Sequence, residues 1–210
     1  MTARHAIERL KAEGLVVRRP GHGTFVAERA THRQAGRLLS FSEEMRRLGL
    51  VPRSQVLERR LRGATADEVR RLELAEPATV LVLERVRIGG DDPVAVETAV
   101  LRGECAEALD GADLERESLH ESLVAGGFIP TAGRGTLRSE AASGRDARLL
   151  GLRRGAPLLV ERRQIVDQHN RPLELGETRY AADRYSLDIE FGVEIAAQRK
   201  RRRTHTRFRM

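Results

Sequence analysis

Residues 77–101 read PATVLVLERVRIGGDDPVAVETAVL, and residues 156–180 read APLLVERRQIVDQHNRPLELGETRY. Each begins at a Pro or Ala-Pro, runs along an apolar strand into Glu-Arg, and reaches a polar turn that ends in proline. A second strand carrying glutamates follows in both. Apolar runs separated by Gly, Asp, Asn and Pro are the mark of β-hairpins. Two hairpins of one design predict an antiparallel sheet. Each is preceded by a capped helix, so the expected class is α+β, with helices packed on one side of the sheet.

The caps place those helices. Ser40-Phe41-Ser42-Glu43 opens a short helix that Gly49 closes, and Thr65-x-x-Glu68 repeats the device ahead of Val69 and Leu72. Ser118-x-x-Glu121 starts a third helix that runs to Gly126-Gly127, and Ser143 to Leu150 forms a fourth. In the first three, a side-chain oxygen at the N-cap takes up an orphan backbone N–H, with an acid three residues on to return the bond. Further upstream, Ala3, Ala6, Ile7 and Leu10 recur at helical spacing until Gly14. Two short apolar runs, Leu15-Val16-Val17 and Thr24-Phe25-Val26, then flank Arg18-Arg19-Pro20-Gly21-His22-Gly23. A helix leading into a basic-tipped hairpin is the second half of a winged helix-turn-helix. Residues 28–39 are polar and read as a linker.

Charge separates the parts. The formal net charge is +7, yet the tail from Gln198 to Met210 alone carries seven basic residues and no acid. Residues 1–33 are basic as well, while the long middle is mildly acidic. Contacts with phosphates therefore belong to the two ends. Aromatics make up 3% of the chain and Trp is absent, which argues against recognition by stacking on bases or sugars. Cys105 is the sole cysteine, so neither a disulfide framework nor a cysteine metal cluster is expected within one chain. No apolar run approaches the ~18 residues that span a bilayer, and no signal-peptide core stands at the N-terminus. A cytoplasmic location is the default expectation. The sequence contains no GxSxG elbow, HExxH, Walker loop or Rossmann fingerprint. An enzyme is not expected, nor any cofactor or metal.

Thr2 to Val16 and Arg18 to Val26, with the EGL end of the helix and the GHGTFV of the hairpin, resemble the recognition helix and wing of GntR-superfamily regulators. The stretches SFSEEMRRLG, LERVR, DDPVAVE and PLELGETRYAADRY resemble the UTRA effector domain of the HutC subfamily. The resemblance implies a partial winged helix-turn-helix over 1–27, a linker over 28–39 and a chorismate-lyase-like UTRA domain over 40–190. A basic, disordered tail over 191–210 is then a solvated end, with a non-specific nucleic-acid arm as the alternative. In that family a pair of helices precedes the recognition helix, and no counterpart stands before Thr2. The expectation is a mis-assigned start at Met1; a truncated product is the other reading. The family's function implies a repressor acting as a homodimer on a palindromic operator, relieved or reinforced by a small molecule. A stand-alone ligand-binding or dimerisation module is the alternative for a chain without a complete reading head.

Two sets of residues carry the expected contacts. For DNA they are Thr2, Arg4 and His5 at the start of the recognition helix, and Arg18, Arg19, Gly21, His22, Gly23 and Thr24 in the wing. Arginine pairs bidentately with guanine, and glycines let backbone approach phosphate. For the effector, Arg85 and Arg87 lie two apart on one strand and so share a face, where two guanidinium forks suit one carboxylate or phosphate. The resemblance adds Glu97, Glu174 and Tyr180 to the pocket, with Ser40 and Ser42 near it. The expected ligand is a small anionic metabolite whose hydroxyls or amines meet the glutamates and Tyr180. The plainer readings are a solvent-facing arginine strip paired with Glu84 or Glu97, a purely capping Ser40, and a Tyr180 that only packs under the sheet.

Overall fold

The computed structural model describes residues 16–19, 23–26, 31–34, 40–47 and 49–188. The two apolar runs of the wing form strands β1 (Val16–Arg19) and β2 (Gly23–Val26), paired antiparallel from Val16↔Val26 to Arg19↔Gly23. The stretch read as a linker contains a strand of its own, β3 (Thr31–Gln34). It pairs in parallel with β10 (Tyr185–Asp188), which ties the segment after the hairpin to the far end of the domain.

The rest is one six-stranded antiparallel sheet with a duplicated plan. The first unit is β4 (Pro52–Gly63), α2 (Ala66–Leu72), β5 (Thr79–Gly89) and β6 (Asp92–Arg102). The second is β7 (Ala132–Ala141), α5 (Gly144–Leu150), β8 (Pro157–Val166) and β9 (Pro172–Ala181). The strand order β4-β5-β6-β9-β8-β7 joins the units through β6 and β9, so both predicted hairpins stand at the centre and each unit's first strand forms an edge. Helix α1 (Phe41–Arg47) precedes the first unit, and α3 (Cys105–Ala108) and α4 (Leu119–Ala125) link the two.

The caps read from the sequence are in place. Thr65 and Glu68 form a reciprocal capping box on α2, as do Ser143 and Asp146 on α5. Ser118 caps α4 through the Glu121 N–H, and Ser40 Oγ accepts from the Glu43 N–H at 3.2 Å. Gly49, at φ 72°, closes α1 in the left-handed region that glycine enters without a Cβ clash.

Helices cover both faces of the sheet rather than one. Residues directly opposite across a ladder share a face, so the pairing sorts the strands into two layers. One face carries Leu81, Leu83, Ala99, Leu101 and Leu173 against Cys105, Leu109, Leu119 and Leu123 of the α3–α4 segment. Phe41 and Met45 of α1 extend that cover over Ala95 and Tyr180. On the opposite face α2 seats Leu72 on Val80, Val82 and Leu175, and α5 seats Leu150 on Val96, Leu158 and Val160. The cause lies in β5, β6 and β9, where buried residues run on consecutively instead of alternating. A strand apolar on both sides needs cover on both sides.

Candidate functional site

The face under α1 and α4 changes character halfway along the sheet. Moving from Leu81 and Leu83 along β5, the next inward positions are Arg85 and Arg87, both under 4% exposed. The pairing builds a row across the sheet, Arg85–Glu97–Thr178–Glu161, through β5, β6, β9 and β8. A neighbouring row is Arg87–Ala95–Tyr180–Leu159, and on the other side runs Leu83–Ala99–Gly176–Arg163. Charges therefore meet at the join of the two units, held by rigid strands.

Glu97 is the hub. Its Oε2 accepts from Arg85 Nη2 at 2.5 Å and from Arg87 Nη1 at 3.3 Å, and Arg163 Nη2 lies 3.8 Å from its Oε1. Burial alone would raise its pKa, but the three guanidinium groups outweigh that and hold the carboxyl well below the usual carboxylate range. Arg87 is pulled down to about 10, mainly by burial and further by Arg85, with Glu97 opposing. Arg85 Nη1 also donates to the Leu114 carbonyl at 3.2 Å. Arg87 Nη2 donates to Ser42 Oγ at 3.3 Å, and its guanidinium lies 4.4 Å from the centre of the Phe41 ring. Both contacts fasten α1 to the site.

Glu174 enters by a different route from Glu97. The register sets Thr178 opposite Glu97, and Glu174 opposite Leu101, one row beyond Arg163. Arg163 bridges them, with Nη2 3.4 Å from Glu174 Oε1. The other Glu174 oxygen meets His120 Nε2 of α4 at 2.9 Å. Burial would raise Glu174, yet Arg163 and His120 keep it below its ordinary value. Tyr180 OH donates to Glu161 Oε2 at 3.4 Å, and its ring stacks on Tyr185 with centroids 3.8 Å apart. Tyr185 is the first residue of β10, and its hydroxyl donates to Glu44 of α1 at 3.5 Å.

The space is small at the charges and wider outside. A cavity of about 10 Å³ sits among Ser40, Arg85, Arg87, Glu97 and Arg163. It adjoins a groove of about 280 Å³ between α1 and α4, and Ser40 and His120 line both. Arg46 of α1 and Glu121 of α4 pair at 2.5 Å beside that groove. The Nε–H groups of Arg85, Arg87 and Arg163 are buried without a partner among the described residues. Such donors are costly to leave unpaired, and the three arginines line the small cavity together with the Glu97 carboxylate.

Of the residues expected at the effector, the structure brings Arg85, Arg87, Glu97 and Ser42 into direct contact and joins Glu174 through Arg163. Ser40 is both cap and lining. Tyr180 stands one row away from Glu97. The plainer reading of a solvent-facing arginine strip fails on exposure, since both arginines are buried, but its pairing with Glu97 is present; Glu84 lies on the opposite face, paired with Arg145 at 2.6 Å. Arg163, His120 and Glu161 were not among the expected residues. Of the DNA set, Thr2, Arg4, His5, Gly21 and His22 lie outside the described residues, as does the tail. Arg18, Arg19, Gly23 and Thr24 fall on the paired strands β1 and β2.

The site is thus a buried ion cluster under two helices, at the join of a duplicated sheet. Residues 47–186 match the family described as the UTRA domain. The chain belongs to that family, among the transcriptional regulators of the GntR/HutC type. It is 30% identical over 188 residues to the HTH-type transcriptional repressor NagR of Bacillus subtilis, spanning 89% of this chain and 77% of that one. It is 27% identical over 191 residues to the histidine utilization repressor of Pseudomonas putida, spanning 91% and 76%. Its fold superposes on the crystal structure of PhnF from Mycobacterium smegmatis with a TM-score of 0.79 at 25% identity, over 91% of this chain and 84% of that one. The sheet with flanking helices is thus the UTRA, chorismate-lyase-like fold. The Bacillus subtilis and Pseudomonas putida relatives are named as repressors, and no described helix is long and apolar enough to cross a membrane.

Proposed function

We propose that this chain is a cytoplasmic repressor whose operator affinity is set by a small anionic metabolite bound between α1, α4 and the central strands. Residues 1–27 act as the reading end, with Thr2, Arg4 and His5 facing bases and the wing from Arg18 to Thr24 facing phosphates. Residues 40–190 act as sensor and as the seat of a homodimer on a palindromic site. The observation that supports the reading is the cluster of Arg85, Arg87 and Arg163 beside Glu97, whose three buried Nε–H groups lack partners among the described residues. Arg85 and Arg87 take the charged end of the ligand, while Glu97, Glu174 and Tyr180 read its hydroxyls or amines.

Coupling to DNA follows the contacts already described. Arg87 grips α1 through Ser42 and Phe41, Glu44 of α1 meets Tyr185, and Tyr185 opens the strand that pairs with β3. A ligand that draws Arg87 off α1 favours one setting of the β3–β10 pair over another. Only such a difference in affinity between two states moves operator binding.

The test combines a thermal-shift screen of acidic metabolites with a gel shift on operator DNA. The wild type is expected to be stabilised by a subset of acids that leave the Arg85→Gln, Arg87→Gln double variant unmoved. If those acids stabilise the double variant equally, the clamp is wrong. A chain that binds the acid but no operator supports the alternative of a stand-alone ligand-binding module.

A further inference from the structure

The parallel pair β3–β10 fixes where the chain leaves the sensor. Asp188, the last residue of β10, stands opposite Gln34, and Gln34 lies only eight residues beyond Val26 of the wing. A chain of that length spans at most about 28 Å. Eleven residues beyond Asp188 a basic run begins, Arg199-Lys200-Arg201-Arg202-Arg203, with Arg207 and Arg209 behind it and no acid among them. Its tether reaches up to about 38 Å. The run is therefore held within reach of any polyanion that the wing contacts.

The surface beside that exit adds charge of the same sign. The loop between α5 and β8 exposes Arg153 and Arg154. Arg184 in the β9–β10 turn donates to the Leu150 carbonyl at the end of α5 and to the Pro93 carbonyl, both at 2.7 Å, so loop and turn are clamped together. The acid of that turn, Asp183, is paired with Arg184 at 3.9 Å. Two exposed arginines on a fastened loop thus mark the root from which the tail departs.

A run of like charges repels itself until a polyanion takes it up. Duplex DNA carries one phosphate charge per ~1.7 Å of its axis, and seating cations there releases condensed counterions. Such contacts read no base sequence, so they suit the flank of a site rather than its centre. We infer that this end of the sensor is a second DNA-contacting surface: residues 199–209, with Arg153 and Arg154 at their root, take phosphates of the duplex beside the segment that the wing touches. The inference rests on residues 1–27 being the reading end, as proposed above.

The test follows the full chain by fluorescence anisotropy on a duplex of about 40 base pairs, from about 50 to 200 mM KCl. Replacing Arg199, Lys200, Arg201, Arg202 and Arg203 by Gln should weaken binding at least about tenfold at low salt. It should also flatten the slope of log K against log salt by about four, at ~0.9 per phosphate contact. Arg153→Gln with Arg154→Gln should flatten the slope by up to about two, and replacing the four tail arginines by Lys should preserve it. Arg18→Gln with Arg19→Gln should weaken binding as well, because wing and tail hold one duplex. If they held separate duplexes, the survivor would still bind, and at most one of the two neutralised variants would lose more than about twofold. Unchanged affinity and slope in the neutralised tail overturn the inference alone. A loss in the tail variant with none in the wing variant overturns the reading end, and the shared duplex with it. A wild type that binds phosphatidylglycerol vesicles but no duplex overturns both.

Discussion

Glu97→Gln changes one charge in the most crowded part of the molecule and barely changes its shape. In the wild type this carboxylate faces Arg85, Arg87 and Arg163, all at most 9% exposed, and one of its oxygens takes two of their donors. Removing one partner of a buried ion pair costs about 3–5 kcal/mol, because the other charge is left stranded. Glutamine keeps an acceptor oxygen worth about 1 kcal/mol, so a loss of about 3 kcal/mol is expected. For a chain of this size that corresponds to a fall in Tm of roughly 6–12 °C. The wild-type carboxyl is held below the usual range. Its stabilisation is therefore complete above the unfolded value near 4.5 and is lost only as the pH drops through the depressed folded value. The gap in Tm between the two proteins should hold from pH 8 to 5 and close in strong acid. If the arginines form an anion site, an added dianion takes over the role of Glu97 in the variant. At 100 times its Kd, methyl phosphate would return about 2.7 kcal/mol. Scanning calorimetry with and without methyl phosphate reads both effects. A variant that melts within 2 °C of wild type means that Glu97 does not hold the three arginines, and one that gains no more from the dianion than wild type does means that they form no anion site.

Two further expectations concern the frame. Glu68 bonds Arg62 through both oxygens and closes the capping box with Thr65, which lowers its pKa from 4.5 to about 2 against the opposing effect of burial. At ~1.4 kcal/mol per pKa unit this is at most ~3.5 kcal/mol, present above pH 4.5 and lost as the pH falls toward 2. Glu68→Gln should lower Tm at pH 7 and converge with wild type near pH 2, as thermal melts across that range would show. Leu150 of α5 is fully buried against the face of the sheet away from the Arg85–Glu97 cluster. Leu150→Ala should cost about 2–5 kcal/mol in urea unfolding and leave anion affinity unchanged; a loss of affinity in folded protein would mean that the two faces are coupled.

The centre of the fold was legible because it obeys short-range rules. Pro- and Gly-bounded apolar runs announce β5, β6, β8 and β9, and hydroxyl–acid pairs three residues apart announce α1, α2 and α4. The edge strands were not legible. β4 carries Arg53, Glu58, Arg59, Arg60 and Arg62, and nearly every residue of β7 is exposed. A strand that leans on its neighbour for one ladder and buries little shows no apolar alternation, so only the tertiary pairing reveals it. Helices on both faces were missed for a related reason: strands buried on both sides lose the alternation that would have named a single inner face.

The site was half legible, and the limit lies in a single dipeptide. Glu84-Arg85 and Glu161-Arg162 occupy matching places in the two repeats, and the eye aligns them. The strands place them out of phase. In β5 the arginine faces the site and Glu84 turns to Arg145 on the far side, whereas in β8 it is Glu161 that faces the site. Arg162 then belongs to the outer network with Glu140 and Glu177. A shift of one residue in a period-two element exchanges its faces, so the inward arginine of the second repeat is Arg163. Duplication therefore supplied the frame but not a duplicated site. The first unit contributes Arg85, Arg87 and the Glu97 hub, the second contributes Arg163, Glu161 and Glu174, and one asymmetric pocket forms at their join. The ligand proposed above, charged at one end and hydroxylated or aminated at the other, matches that asymmetry.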